Sequence, residues 1–118
     1  MAISEPLYDR AGRVIAFLLN GDRIISRNGA NVAWLRNGSV YNYSGQHLGW
    51  WEGDHVRDRN GALMYWQRGA STGLIHPIPQ IPPIPPIPPI PPIKPIPAIP
   101  PIKPIRRLSW SDSSLPGL

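Results

Sequence analysis

Two periods of apolar residues divide the chain. Up to residue 72 short runs alternate apolar and polar positions between turn-forming residues. Beyond them, from Ile78 to Ile105, an isoleucine stands at every third position and proline fills most of the gaps. The first pattern predicts half-buried β-strands. The second matches polyproline II, which has three residues per turn.

The strand region is a fourfold repeat. Units open at Tyr8, Ile25, Tyr41 and Arg57. One glycine column is Gly12, Gly29, Gly45 and Gly61, and a second is Gly21, Gly38, Gly53 and Gly69. Between them runs an aromatic column: Phe17, Trp34, Trp50 and Trp66. The first turn starts at Asp9, Ser26, Asn42 or Asp58 and ends on the glycine three residues later, a type I signature. The second turn is Asn20-Gly21 or Asn37-Gly38, a strong hairpin signal, with Glu52-Gly53 and Arg68-Gly69 as weaker versions.

Period two places Ile15 with Phe17, Val32 with Trp34, Leu48 with Trp50 and Met64 with Trp66 on one face. The returning strands add Ile24, Val40 and Val56, a column that Thr72 breaks. No single hairpin can bury such a face alone. The expected fold is therefore all-β: four pseudo-symmetric β-hairpin repeats around a shared aromatic core of Phe17, Trp34, Trp50 and Trp66. Trp51 and Tyr43 are expected to point outward.

The tail carries ten isoleucines: Ile78, Ile81, Ile84, Ile87, Ile90, Ile93, Ile96, Ile99, Ile102 and Ile105. In polyproline II they form one edge of a rod roughly 85 Å long. Gln80, Lys94 and Lys103 fall beside that stripe and never on it. A flexible spacer needs no such stripe. Burying ten isoleucines is worth about 15–30 kcal/mol before ordering costs. Homo-oligomeric or filamentous assembly through the tail is the expectation, either rod on rod or rod in a groove of a neighbouring copy. The organisation reads as a four-hairpin domain over 6–72, a polyproline II rod over 77–105, and a Trp/Ser-containing terminal segment over 106–118, with Trp110 as a candidate anchor.

The repeated Gly12, Phe17 and Gly21 pattern over residues 6–72 resembles the 4-fold β-flower proteins, small bacterial domains of four hairpins. The Ile/Pro tract followed by Leu108, Ser109, Trp110 and Ser111 resembles the tail that members often carry. The resemblance implies a β-flower fold and supplies no activity.

Composition narrows the remaining chemistry. Fifteen of the seventeen prolines lie between Pro77 and Pro104, so the globular part is small. Without cysteine it has neither disulfides nor thiolate metal ligands. Net charge is +5, below the density of a dedicated nucleic-acid binder. Arg10, Arg27 and Arg59 share one turn position and form a candidate anion rim, with weak support for nucleic acid. His47, His55 and Asp54 could form a metal corner but lack further ligands, so no metal or cofactor is expected. Asp9 and Asp58 are accounted for by their turns, and no catalytic motif is present. Asn37 and Asn42 head glycosylation-type triplets that turns often spell. A choline- or sugar-binding aromatic cage, centred on Trp51, is the alternative binding class. Pro101, Pro104 and Arg106 spell an SH3-type ligand, but in this tract the pattern arises automatically, and an SH3-like partner is disfavoured. Met1–Tyr8 shows no signal peptide, which leaves the location unknown between the cytoplasm and non-classical export, and no transmembrane helix is predicted. The sequence reads as a non-enzymatic structural or interaction module.

Overall fold

A computed structural model describes residues 3–118. Eight antiparallel strands close into a barrel in chain order. They are β1 (Ser4–Tyr8), β2 (Val14–Leu19), β3 (Arg23–Ser26), β4 (Asn31–Arg36), β5 (Ser39–Tyr41), β6 (His47–Trp51), β7 (His55–Asp58) and β8 (Leu63–Trp66). No helix occurs among the described residues.

Local chemistry makes the turns. Asp9 Oδ1 accepts from the amides of Ala11 and Arg13, and Asn42 and Asp58 do the same in their own turns. Asn20 and Asn37 take positive φ of 55° and 50°, each followed by a positive-φ glycine, as a two-residue hairpin of type I′ demands.

Closure uses a strand that the repeat did not reveal. The return strand of the fourth unit is β1, from the start of the chain, with Tyr8 paired to Trp66. Leu7 therefore completes the column of Ile24, Val40 and Val56, and all four are fully buried. Thr72 does not occupy this column. It lies where the chain leaves the barrel, with its carbonyl bound by Arg57.

The expected shared aromatic core is corrected by the structure. Each hairpin carries one register shift, between Leu7 and Tyr8, Ile24 and Ile25, Val40 and Tyr41, or Val56 and Arg57. The residue skipped on the facing strand is Ile15, Val32, Leu48 or Met64. An inserted residue reverses the faces that a strict period of two assigns. These four residues turn inward together with Ala16, Ala33 and Tyr65, while Phe17, Trp34, Trp50 and Trp66 turn to the outer surface. Three of the four inner-column positions are small, Ala16, Ala33 and Gly49. A Cβ on Gly49 would collide with the Arg57 carbonyl.

The four rings are buried yet do not meet. Each packs instead on the residue that opens a unit: Trp66 with Tyr8, Phe17 with Ile25, Trp34 with Tyr41 and Trp50 opposite Arg57. Tyr8 and Trp66 lie 4.9 Å apart, and Trp34 and Tyr41 stack at 5.0 Å. Trp51 is likewise not turned outward, being packed half-buried against the inner cluster. Tyr43 is half-buried as well.

The tail does not project as a straight rod. The whole molecule measures 36 × 36 × 22 Å, a disc far shorter than the roughly 85 Å of the extended tract. Residues 77–105, without helix or strand, run around the barrel and pass the first-turn glycines in order. The carbonyls of Ile78, Ile87, Ile96 and Ile105 press on Gly12, Gly29, Gly45 and Gly61 respectively. These contacts are nine residues apart in the tail and one unit apart in the barrel. Beyond the belt, Ser109–Ser111 pairs with Leu63, and Leu115 enters the inner cluster and closes one end of the barrel.

Candidate assembly surface: the isoleucine belt and its buckle

The belt sorts its residues by face. All ten isoleucines from Ile78 to Ile105 point to solvent, each at least 88% exposed. Pro77, Pro86, Pro95 and Pro104 point inward and lie against the four turn glycines. A side chain at Gly12, Gly45 or Gly61 would push the belt away, whereas Gly29 has more room, with Pro86 nearest at 3.3 Å. A Cβ on Gly45 would come within 2.6 Å of the Ile96 carbonyl, and one on Gly61 within 2.5 Å of that of Ile105.

Interruptions in the proline tract follow the same nine-residue period. The amides of Gln80, Ala98 and Arg107 donate to the carbonyls of Gly12, Gly45 and Gly61 at 2.7, 2.8 and 3.0 Å. Proline has no N–H and cannot make that bond. Pro89 occupies the equivalent place in the second unit. There Arg23 donates to the Pro89 carbonyl at 3.0 Å and Asn31 to that of Ile90 at 2.9 Å. Gln80 adds a side-chain bond, its Oε1 accepting from the Val14 amide. Tyr41 donates to the Ala98 carbonyl.

A second set of positions covers the outward aromatics. His76 stacks on Trp66 at 4.4 Å, nearly coplanar. The Lys94 ammonium sits 5.6 Å from the Trp34 ring centre and that of Lys103 sits 5.8 Å from Trp50, within cation–π range. Lys103 also donates to Glu52 at 2.8 Å. Burial pushes the Glu52 carboxyl up, but the Lys103 bond and charge and the Arg106 charge outweigh it and hold the group low.

The two ends of the belt meet at Arg57, a fully buried residue that stands where the other units have Tyr8, Ile25 and Tyr41. Its Nη1 donates to the carbonyls of Gly61 at 2.7 Å and Arg107 at 2.8 Å. Its Nη2 donates to the carbonyl of Thr72 at 2.7 Å. Its Nε donates to His55 Nε2 at 2.9 Å. The other ring nitrogen of His55, Nδ1, lies 2.5 Å from Asp54 Oδ1. Asp54 Oδ2 accepts from the Ser71 amide. The residues just before and just after the belt are thus held by one cluster. Burial pushes the His55 imidazole down, the Arg57 charge does so as well, and the Asp54 partner only partly offsets them.

The remaining candidates are placed apart. Arg10, Arg27 and Arg59 are exposed on three separate turns. The barrel end that they surround is closed by Leu115, with Ser113 and Ser114 beside Arg10 and Arg59. His47 does not join His55. It sits between Tyr41 and Trp50, at 5.4 and 4.5 Å. Trp110 lies half-buried against the cluster of Tyr8 and Trp66. Sequence reasoning missed Arg57, Leu7 and Leu115. Arg57 carried a signal, since it is the one charged residue in an otherwise aromatic or aliphatic column.

No curated protein and no solved structure matches the chain. A family model, described as 4-fold beta flower protein, matches residues 5–118. With nearly the whole chain matched, tail included, the protein belongs to the 4-fold beta flower family.

Proposed function

We propose that this protein is a non-enzymatic structural or interaction module whose isoleucine belt, in polyproline II conformation, mediates assembly with further copies. One observation carries the reading: ten isoleucines, each at least 88% exposed, recur at every third residue of the segment that runs around the barrel. Soluble monomers rarely expose contiguous apolar patches beyond a few hundred Å². The polyproline II assignment is supported by dimensions. Nine residues at about 3.1 Å each span about 28 Å. A circle 36 Å across has a quarter-arc of about the same length.

A belt on a convex rim touches each flat or convex neighbour through only a few isoleucines. A single such contact falls short of the area that a stable pair needs, about 1,200 Å². Assembly therefore depends on several contacts around the rim. Trp51, on which a choline- or sugar-binding cage would centre, packs half-buried against the inner cluster, and the faces of Trp34 and Trp50 carry Lys94 and Lys103 from the same chain.

The test is sedimentation of the full chain beside a variant with Ile84, Ile87 and Ile90 replaced by serine. These side chains are 90–93% exposed, so the barrel should melt as the parent does. The assembled mass should fall in the variant. An identical sedimentation profile, or a parent that stays monomeric at high concentration, would remove the assembly reading.

A further inference from the structure

We propose that Asp54, His55 and Arg57 form an acid-released buckle that decides whether the belt stays seated on its own barrel. The proposal deepens the assembly reading, because the belt is the surface that the buckle would control.

The geometry sets the protonation states. Asp54 Oδ1 sits at hydrogen-bond distance from Nδ1 of His55, so that nitrogen carries the hydrogen. Nε2 must then offer its lone pair, since the Arg57 Nε–H points at it. The ring is neutral and fully buried. A proton taken from solvent can go only to Nε2, the position that the arginine hydrogen faces. The bond becomes a clash of two donors and two positive charges. Arg57 cannot relieve it by losing its own proton. It must move, and its other donors leave the carbonyls of Gly61, Thr72 and Arg107 together.

The surrounding charges divide. Asp54 and the more distant Glu52 favour the proton, whereas Arg57 and Arg106 oppose it. His76, whose Nε2 lies 2.6 Å from the Thr72 hydroxyl, is on the exit segment; burial pushes it down and the Asp54 charge only partly offsets that. Burial favours the neutral ring, so the buckle is closed at neutral pH and opens on the acid side. The three other unit openings, Tyr8, Ile25 and Tyr41, put no guanidinium against an imidazole. Release therefore begins at the place where the belt's two ends meet.

Hydrogen exchange on the full chain tests this at about pH 7.5 and about pH 4.5, corrected for the intrinsic pH dependence of exchange. The Arg107 amide, bonded to Gly61, and the Ser71 amide, bonded to Asp54, are the reporters. Both should lose protection by about tenfold to a hundredfold in acid, while the Leu35 amide inside the barrel keeps its own. The midpoint should follow the His55 ring signals. His55→Gln keeps an acceptor for Arg57 and does not titrate, so the loss should disappear. Should that variant not fold, the midpoint in the parent decides alone. Unchanged protection, or a midpoint that follows His47 or His76, overturns the buckle. Sedimentation of the same samples separates the two readings. Release in a parent that is monomeric at both pH values supports the buckle and removes the assembly reading. A change of mass with Arg107 still protected overturns the buckle.

Discussion

Arg57 donates through Nη1 to the carbonyl of Arg107 at 2.8 Å, joining residues fifty positions apart. The same guanidinium holds Thr72, so one buried side chain ties the segment that leaves the barrel to the segment that ends the belt. A buried charge is tolerated only when its donors are satisfied. Here the acceptors come from the turn at Gly61, the exit loop, the tail and His55. Arg57→Leu would keep volume but leave the Thr72 and Arg107 carbonyls without this donor and Gly61 with the Arg107 amide alone. A loss of about 3–5 kcal/mol is expected in denaturant unfolding, together with faster tryptic cleavage at Arg106 and Arg107.

Gly45 and Gly53 both have positive φ, 87° and 89°, but different surroundings. Alanine at Gly53 meets nothing within 4 Å, so only backbone strain of about 1–2 kcal/mol is expected. Alanine at Gly45 meets the same strain and the Ile96 carbonyl. It should cost about 1–3 kcal/mol more and expose the Ala98 amide to exchange. Equal losses for the two variants would show that the belt does not press on its glycines.

Ala98→Pro makes the tract more regular and should nonetheless destabilise it. Proline would restrict the unfolded chain, a gain of at most about 1 kcal/mol. It would also remove the amide that donates to Gly45 and leave that carbonyl short of a partner, a loss of about 1–3 kcal/mol. A higher melting temperature in this variant would remove the hydrogen bond from the account of the belt.

Leu115 stands for the terminal segment. It is buried in the inner cluster, and its amide donates to the Tyr65 hydroxyl at 2.9 Å. Leu115→Ala should cost about 2–5 kcal/mol. Alanine keeps the backbone amide, so changed tyrosine signals in near-ultraviolet circular dichroism should appear only if the segment lifts off and the amide leaves the Tyr65 hydroxyl. A parent-like melting curve would show that the barrel end closes without it.

Stability should fall in acid. Burial lowers the imidazoles of His47, His55 and His76 below their usual 6.5. The folded chain then binds fewer protons than the unfolded one near and below that value. The stabilisation is complete well above pH 6.5 and is lost as pH drops through the lowered folded values. Urea midpoints measured across this range should decline toward acid. A flat profile would contradict the burial of all three rings.

Much of the barrel was legible from short-range spacing. Asp9, Asn42 and Asp58 cap turns with their own side chains, and Asn20-Gly21 adopts a conformation that few other pairs accept. Such preferences act within four residues and survive without tertiary context. The stripe from Ile78 to Ile105 was equally visible, since a period of three needs only the prolines between. The face of Phe17 and Trp34 was not. One skipped residue per hairpin reverses the alternation, and nothing in the composition of Ile15 or Val32 announces a bulge.

By itself the sequence determined the repeated turns, the hairpins that they join and an apolar edge on a proline tract, because each rests on backbone preferences of neighbouring residues. Only the tertiary structure decided where that edge points. Nine tail residues span one sixteen-residue unit, so the tract can lie on Gly12, Gly29, Gly45 and Gly61 in turn. The prolines face glycines without side chains, the amides of Gln80 and Ala98 find carbonyls, and the isoleucines are left outside. That match is a property of the closed ring's circumference, which no local stretch of the chain contains.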